Sequence, residues 1–303
     1  MISRRSTIVL LTITALLLLP FILVSIAVVV TYPTLPTLEV LTDYHPKVPL
    51  RVYSQDGALL GEFGEERRAL VTIAEVPDLM KKAILAAEDD AFYQHGGVDY
   101  MGVLRAAIAN LTGGSKQGAS TITMQVARNF FLTKEKTMSR KFNEVLLTFK
   151  IEHALSKDDI LQLYINQIYL GQRAYGFASA AQIYFGKPLN QLSTAEFAML
   201  AGLPKAPSSF NPVVNPNRAK LRQMYVLRRM HQLAYINDAE FQQAQTQPLH
   251  TKHSSTFAVK ADYLAEMVRA DLFEKFGDAT YTQGLKVYTT IRAADQVAAY
   301  QAV

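Results

Sequence analysis

The chain has 303 residues, enough for one large domain or two small ones at about 150 residues each. Half are hydrophobic and 19% are charged, which supplies a core and excludes both a polytopic membrane protein and a disordered one. No cysteine occurs, so a disulfide framework, a thiolate zinc site and a cysteine nucleophile are excluded. Lys and Arg number 31 against 26 acids, a net +5; an excess this small points to an acidic substrate or an anionic membrane before nucleic acid.

Arg4 and Arg5 precede an uncharged stretch from Ser6 to Leu38. Within it, Ile8 to Val30 is a nearly continuous apolar run of 23 residues, and about 20 suffice to cross a bilayer core as a helix. A signal peptide would have a shorter apolar run, about 7–15 residues, before a small-x-small cleavage site. Thr31-Tyr32-Pro33 lacks that pattern. Residues 7–31 therefore read as a transmembrane anchor behind a cytoplasmic tip of residues 1–6. Two arginines before the run, with Glu39 and Asp43 after it, place the rest outside the cytoplasm.

Prolines at 33, 36, 46 and 49 make residues 32–53 read as an extended stalk. LRVYS and ALLGEF flank Gln55-Asp56-Gly57, a hairpin signal. From Val76 to about Ile236 the texture is helical. Segments 79–88, 100–111, 120–131, 139–155, 157–168 and 193–201 carry apolar residues at helical spacing. Gly113-Gly114, Gly171, Gly186-Lys187-Pro188 and Pro204 to Pro216 punctuate them. Ser156 reads as an N-cap before the acidic first turn Asp158-Asp159, and Ser193 with Glu196 as a capping box. After Pro248 come a polar stretch, a helical run (263–276), an alternating run (285–291) and a helix still in progress at Val303. Residues 237–303 thus read as a linker and the opening of another module, apart from a main unit at 54–236. The expected fold class is mainly α, with short β segments at either end.

Three clusters carry chemistry. Glu88-Asp89-Asp90 ends an apolar helix at a Gly turn. Adjacent acids repel, which raises the pKa of at least one, as a carboxylate base requires; a solvated acidic helix end is the plain alternative. Gln117 to Gln125 crowds hydroxyls and amides at a helix start, where backbone N–H groups also face outward; an ordinary N-cap explains Ser120 equally well. Between Lys116 and Lys150, seven cations (Lys116, Arg128, Lys134, Lys136, Arg140, Lys141, Lys150) face only Glu135 and Glu144, a local +5. That density suits a phosphate or diphosphate, or equally a solvated face or a patch on anionic lipid. Arg140 and Glu144 stand at i and i+4 and share a face, as a simple surface ion pair would.

Taken in order, EDDAFYQHGG (88–97), QGASTITMQ (117–125), RKFNE (140–144), ILQLYINQIYLG (160–171) and AEFAMLAGLPKAP (195–207) resemble the glycosyltransferase domain of class A penicillin-binding proteins and of monofunctional peptidoglycan glycosyltransferases. The resemblance covers about residues 54–236; any one motif is weak, and all of them in order with the expected spacing are specific. The anchor, the short β segment and LKVYTTI (285–291) resemble the 1A type. The resemblance implies a lysozyme-like, bilobal helical fold. It also implies polymerisation of lipid II into β-1,4 glycan strands, with inversion and release of undecaprenyl diphosphate, at the outer face of the bacterial cytoplasmic membrane.

By the same resemblance Glu88 is the base on the acceptor hydroxyl and Glu144 the second essential acid, near the leaving diphosphate. Arg128, Lys136, Arg140 and Lys141 are its diphosphate contacts, and Ser120, Thr123, Gln125 and Asn166 line and shape the cleft. Asp89, Phe92 and His95 hold the Glu88 loop, with Gln117 as a further support. The implied partners are lipid II and the growing strand, the bilayer (with Phe130 and Phe131 at its interface) and other cell wall synthesis proteins, not nucleic acid. No cofactor is expected, though a divalent cation (Mg or Mn) bridging the diphosphate stays open. No metal ligand is assigned, because the six histidines are scattered.

Four positions depart from the family's usual residues: Met124 for Gln, Lys136 and Lys150 for Arg, and Gln162 for Glu. They bear on affinity more than on the reaction; Lys in place of Arg keeps the charge but loses the bidentate fork. No Ser-x-x-Lys occurs in the chain, so this polypeptide is not expected to acylate β-lactams. Two other readings are a lysozyme-like wall hydrolase and a catalytically silent scaffold. A hydrolase needs an acid for its leaving sugar oxygen rather than dense cations, and a scaffold needs neither Glu88 nor Glu144.

Overall fold

The computed structural model describes residues 4–44, 46–112, 118–132, 137–251 and 259–302. In chain order its elements begin with α1 (Arg4–Thr31), α2 (Glu39–Thr42), the strands β1 (Leu50–Tyr53), β2 (Leu59–Phe63) and β3 (Arg67–Arg68), and α3 (Asp78–Glu88). Then follow α4 (Tyr100–Leu111), α5 (Ile122–Phe131), α6 (Met138–Ala154), α7 (Lys157–Gln167), β4 (Ala174–Tyr175), α8 (Phe177–Phe185) and α9 (Thr194–Gly202). The chain continues through α10 (Pro216–Gln232), α11 (Asp238–Thr246), α12 (Asp262–Phe276), β5 (Lys286–Tyr288) and α13 (Ala293–Ala302). The protein is mainly helical.

α1 and the turn after it contain a segment, Thr14–Thr34, that is long and apolar enough to cross a membrane and is largely exposed, with only Val28 near its end packed against the main core. The proline-rich stretch after it is not the extended stalk its composition suggested. Leu35 and Leu41 are buried in the main core, Tyr44 packs edge-on against Phe130, and Lys150 donates to the Pro36 carbonyl (2.8 Å). The apolar residues between the prolines make the difference, because burying them outweighs the stiffness of the chain around them.

The main core is built around α9. Every residue from Ala195 to Gly202 is buried, so α9 has no polar face, and its small residues let neighbours approach closely. α3 lays Met80, Ala83 and Ile84 against it, the i, i+3, i+4 stripe of an amphipathic helix. α10 covers another side with Val226, Leu227 and Met230, while α5, α6, α7 and α8 add Ile122, Leu147, Ile160, Tyr164 and Phe177. Capping boxes start α7 (Ser156 with Asp159), α9 (Ser193 with Glu196) and α11 (Asn237 with Glu240).

A smaller core lies under the sheet β2-β1-β5. β1 and β2 form the antiparallel hairpin turned at Asp56-Gly57, and β5 adds to β1 in parallel, Val52 opposite Val287. Leu50, Val52 and Leu60 pack there with Leu264, Val268 and Leu272 of α12. Residues set apart in the sequence as a later module thus complete a sheet with residues set apart as stalk. α11, beyond residue 236, packs on α9 and α10 and buries Ala244 in the main core.

Candidate active site

Glu88 is the last residue of α3, and the loop that follows is bound to the start of α5. Asp89 Oδ2 accepts the backbone N–H of Ile122 (3.0 Å), one of the α5 donors without an intrahelical partner. His95 Nε2 meets both Asp89 oxygens (3.0 and 3.2 Å), and Gly97 N–H donates to His95 Nδ1 (3.1 Å). With Nδ1 accepting, the ring proton lies on Nε2 and is donated to Asp89. Thr121 caps α5 and donates to the Gly97 carbonyl (2.6 Å). Gly97 (φ +93°) sits where a Cβ would come within 2.5 Å of Thr148, so only glycine lets the loop lie this close to α6. Phe92 is fully buried beneath the turn, with the Lys157 ammonium 4.4 Å from its ring centre. Asp89, Phe92 and His95 thus hold the loop that presents Glu88.

The Glu88 carboxylate is gripped on one oxygen and faced on the other. Gln125 Nε2 of α5 donates to Oε2 (2.8 Å), and Arg222 Nη2 of α10 stands 3.8 Å from Oε1. The two charged side chains are 11% and 8% exposed. Burial raises the Glu88 pKa above the ordinary carboxylate value. Gln125, and then the charges of Arg222, Lys205 and Arg128, pull it back only in part. The Tyr164 hydroxyl of α7 is buried with no partner among the described residues. Its own burial, with the Glu88 charge added, raises it well above the usual phenol value.

On α6, Glu144 is 1% exposed, and Lys141 Nζ donates to its Oε1 at 2.5 Å. The same ammonium reaches Ser120 Oγ (3.3 Å) and Met124 Sδ (3.7 Å) on the approach to α5 and its first turn. Glu144 Oε2 and Arg140 Nε are buried without a partner among the described residues. A cleft lined by Glu88, Asp99, Arg105 and Ser120 among others runs from Glu88 to Ser120, the residue that Lys141 reaches. α5 and the residues just before it link the two ends: Ser120 and Met124 touch Lys141, and Gln125 touches Glu88.

Not every expected residue is in that group. Arg128 is half-buried and acts on Glu88 only through its charge. Thr123 turns away, bonding Glu152 (2.5 Å), which Lys157 also binds. Asn166 donates to the Val71 carbonyl and accepts its N–H (2.8 and 3.0 Å), holding the segment before α3 rather than lining the cleft. Gln162 accepts the Ile73 N–H. Gln117 and Lys136, with Lys116, Lys134 and Glu135, lie outside the described residues.

Phe130 and Phe131 are half-buried against the core. The exposed apolar face belongs to α4 instead, with Tyr100, Met101, Leu104 and Ile108 each more than half exposed and Leu111 at 87%. Sequence reasoning missed Arg222, Lys205 and Arg229, the last an ion-pair partner of Asp90 (2.6 Å). The available signal was Asn215-Pro216, since proline is favoured in the first helical turn and here starts α10.

Asp89 is engaged by Ile122 and His95, and Asp90 by Arg229. Among the described residues no group of three or more His, Asp or Glu could hold a metal ion.

A family model described as Transglycosylase matches residues 56–231. Penicillin-binding protein 1A of Neisseria gonorrhoeae is 57% identical over 286 residues, covering 93% of this chain and 36% of that protein. Penicillin-binding protein 1A of Pseudomonas aeruginosa is 50% identical over 273 residues, covering 89% and 33%. A crystal structure of penicillin-binding protein 1A from Haemophilus influenzae aligns with a TM-score of 0.47 at 33% identity, over 85% of this chain and 29% of that one. The chain spans about a third of the length of the curated relatives it matches.

Proposed function

The chain belongs to the transglycosylase family, and on that premise we propose that it polymerises lipid II into the glycan strands of peptidoglycan in bacterial cell wall synthesis. The growing strand is the donor and lipid II the acceptor. Glu88 takes the proton from the acceptor sugar hydroxyl as its oxygen bonds to the donor's anomeric carbon. The bond from that carbon to the diphosphate oxygen breaks on the opposite face. A β-1,4 link forms with inversion, and undecaprenyl diphosphate leaves with its electron pair. A weak hydroxyl nucleophile needs a base, and a diphosphate leaving group needs cations rather than a proton. Lys141 is the group placed to meet it, with Arg140 and Arg128 nearby in sequence and Lys136 a further expected contact.

Glu144 holds Lys141 in place. Its second oxygen and the Arg140 Nε, buried without partners among the described residues, are groups a bound diphosphate and its counter-charges can satisfy. Asp89 and Asp90 are already engaged by Ile122, His95 and Arg229. A divalent cation bridging the diphosphate would be held by the substrate.

α1 serves as a single-pass anchor in the cytoplasmic membrane, N-terminus inside, with the catalytic domain on the outer face and the apolar face of α4 turned to the lipid that carries both substrates. Association with other cell wall synthesis proteins fits the same reading.

The observation that carries this reading is that α5 and the residues just before it touch a buried carboxylate through Gln125 and a lysine–glutamate pair through Ser120 and Met124, with Glu88 and Ser120 lining one cleft. The test is incubation of the purified chain with labelled lipid II in detergent and gel separation of the products. A ladder of strands from the wild type and none from Glu88→Gln is expected. No ladder from the wild type, or near-normal synthesis by the variant, overturns the reading.

A further inference from the structure

We propose that Arg222 is a positioning residue of the reaction, acting through Glu88 by aiming its Oε1 and favouring its charged form. This deepens the base assignment above and rests on it. Arg222 lies on α10, more than 130 residues from Glu88 in sequence, and is brought to it by the packing of α10 on α3.

Its guanidinium is fixed on three sides. Nε donates to the Gly202 carbonyl (3.3 Å), the guanidinium carbon lies 4.4 Å from the Tyr225 ring centre, and Nη2 faces Glu88 Oε1 at 3.8 Å. Gly202 makes the approach possible, because a Cβ there would come within 2.8 Å of Arg222 Cγ. Glu88 is therefore held between two different groups. Gln125 supplies a hydrogen bond without charge, and Arg222 supplies charge just outside hydrogen-bond length. Such a base keeps one oxygen free of a direct donor, open to an incoming hydroxyl proton, while an opposite charge offsets its burial.

The other groups facing Glu88 do not duplicate this. From α5 comes Arg128, and from the loop after α9 comes Lys205; both act at longer range. From α7 comes the neutral Tyr164 hydroxyl. Glu196 of α9 is paired with Lys187, Asp89 with His95 and Asp90 with Arg229. Across the cleft Asp99 and Arg105 stand 3.9 Å apart.

The test compares wild type, Arg222→Lys, Arg222→Gln and Arg222→Met as purified full chains in detergent. kcat/KM for strand synthesis is measured against pH, and the Glu88 carboxyl is titrated by infrared spectroscopy on ¹³C-glutamate-labelled protein, with Glu88→Gln assigning the band. Removing the cation is expected to move the acidic limb toward neutrality by about one pH unit, a tenfold loss on the limb with much less on the plateau. Arg222→Lys restores most of the limb. Arg222→Met, apolar and of similar length, carries the test if Arg222→Gln does not fold.

A uniform loss at every pH with the limb and the carboxyl band unmoved means that Arg222 only holds α10 to α9, and overturns the proposal. So does Arg222→Lys performing no better than Arg222→Gln. If even the wild type makes no strands, the function reading fails while the infrared titration still decides the Arg222–Glu88 coupling.

Discussion

The two buried acids of this site differ in how their charge is met. Glu144 sits mid-helix and touches an ammonium directly at 2.5 Å; its negative charge is answered by a group on the preceding turn of its own helix. Glu88 ends its helix, receives one amide hydrogen bond and has its nearest cation at 3.8 Å. Burial is the largest influence on its pKa and raises it. A carboxylate paired as Glu144 is holds a lysine in place. One left short of charge as Glu88 is gains affinity for a proton. On the proposed reading two glutamates serve opposite ends of one displacement, and their environments set them apart.

The largest effect that can break this contrast is on turnover. Glu88→Gln keeps the shape and an oxygen for Gln125, and is expected to lower strand synthesis by about 10²–10⁴-fold, measured as initial rate with labelled lipid II. Lys141→Ala should act on binding instead, raising the dissociation constant for the lipid diphosphate tenfold or more. It also strands the buried Glu144 carboxylate, at a cost of about 2 kcal/mol in stability. Adding Glu144→Gln to Lys141→Ala separates the two, because stability should recover while affinity does not. Recovery of both would mean that Lys141 serves the fold alone.

Much of this was legible in the chain because the signals were local. The helices α3, α4, α5, α6, α7 and α9 fall within a residue or two of the segments read from apolar spacing, and the Ser193–Glu196 box starts α9 as expected. The hairpin at Asp56-Gly57 was visible for the same reason. α8 was not, since FASAAQIYF is nearly all apolar and shows no stripe, and Pro216, read as punctuation, is a helix start. The β1–β5 pairing joins strands more than 230 residues apart, and no periodicity reports that. In the site, residues within the motifs were found as types. Their partners depend on tertiary packing. Thr123 and Asn166 carry polar groups that could line a cleft, yet one serves Glu152 and the other Val71.

That reassignment sharpens the comparison by removing two residues from the chemical site. Asn166→Ala deletes two hydrogen bonds to a backbone segment and strands the Val71 N–H and carbonyl. A loss of about 2 kcal/mol in stability is expected, read from denaturant unfolding, with turnover per folded molecule within about twofold of wild type. A KM raised tenfold with unfolding unchanged would return Asn166 to the cleft.

The smallest expected effect is on stability, and its sign depends on pH. A carboxyl whose folded pKa lies above its ordinary value of 4.5 keeps its proton in the native state after the unfolded chain has released it. Stability therefore falls as pH rises from about that ordinary value through the raised folded value, and the penalty is complete above it. The attraction of Arg222 is already inside this balance, because it is among the influences that pull the pKa back without restoring it. Glu88→Gln removes the titration. Below pH 4 the variant and the wild type should melt together, both carrying a neutral group. At pH 7.5 the variant should be the more stable, with the higher Tm. Scanning calorimetry in detergent at the two pH values reads the difference. A gain equal at both would come from packing, and a loss at pH 7.5 would mean that Arg222 stabilises the ionised Glu88 by more than burial costs it, making this acid as well paired as Glu144.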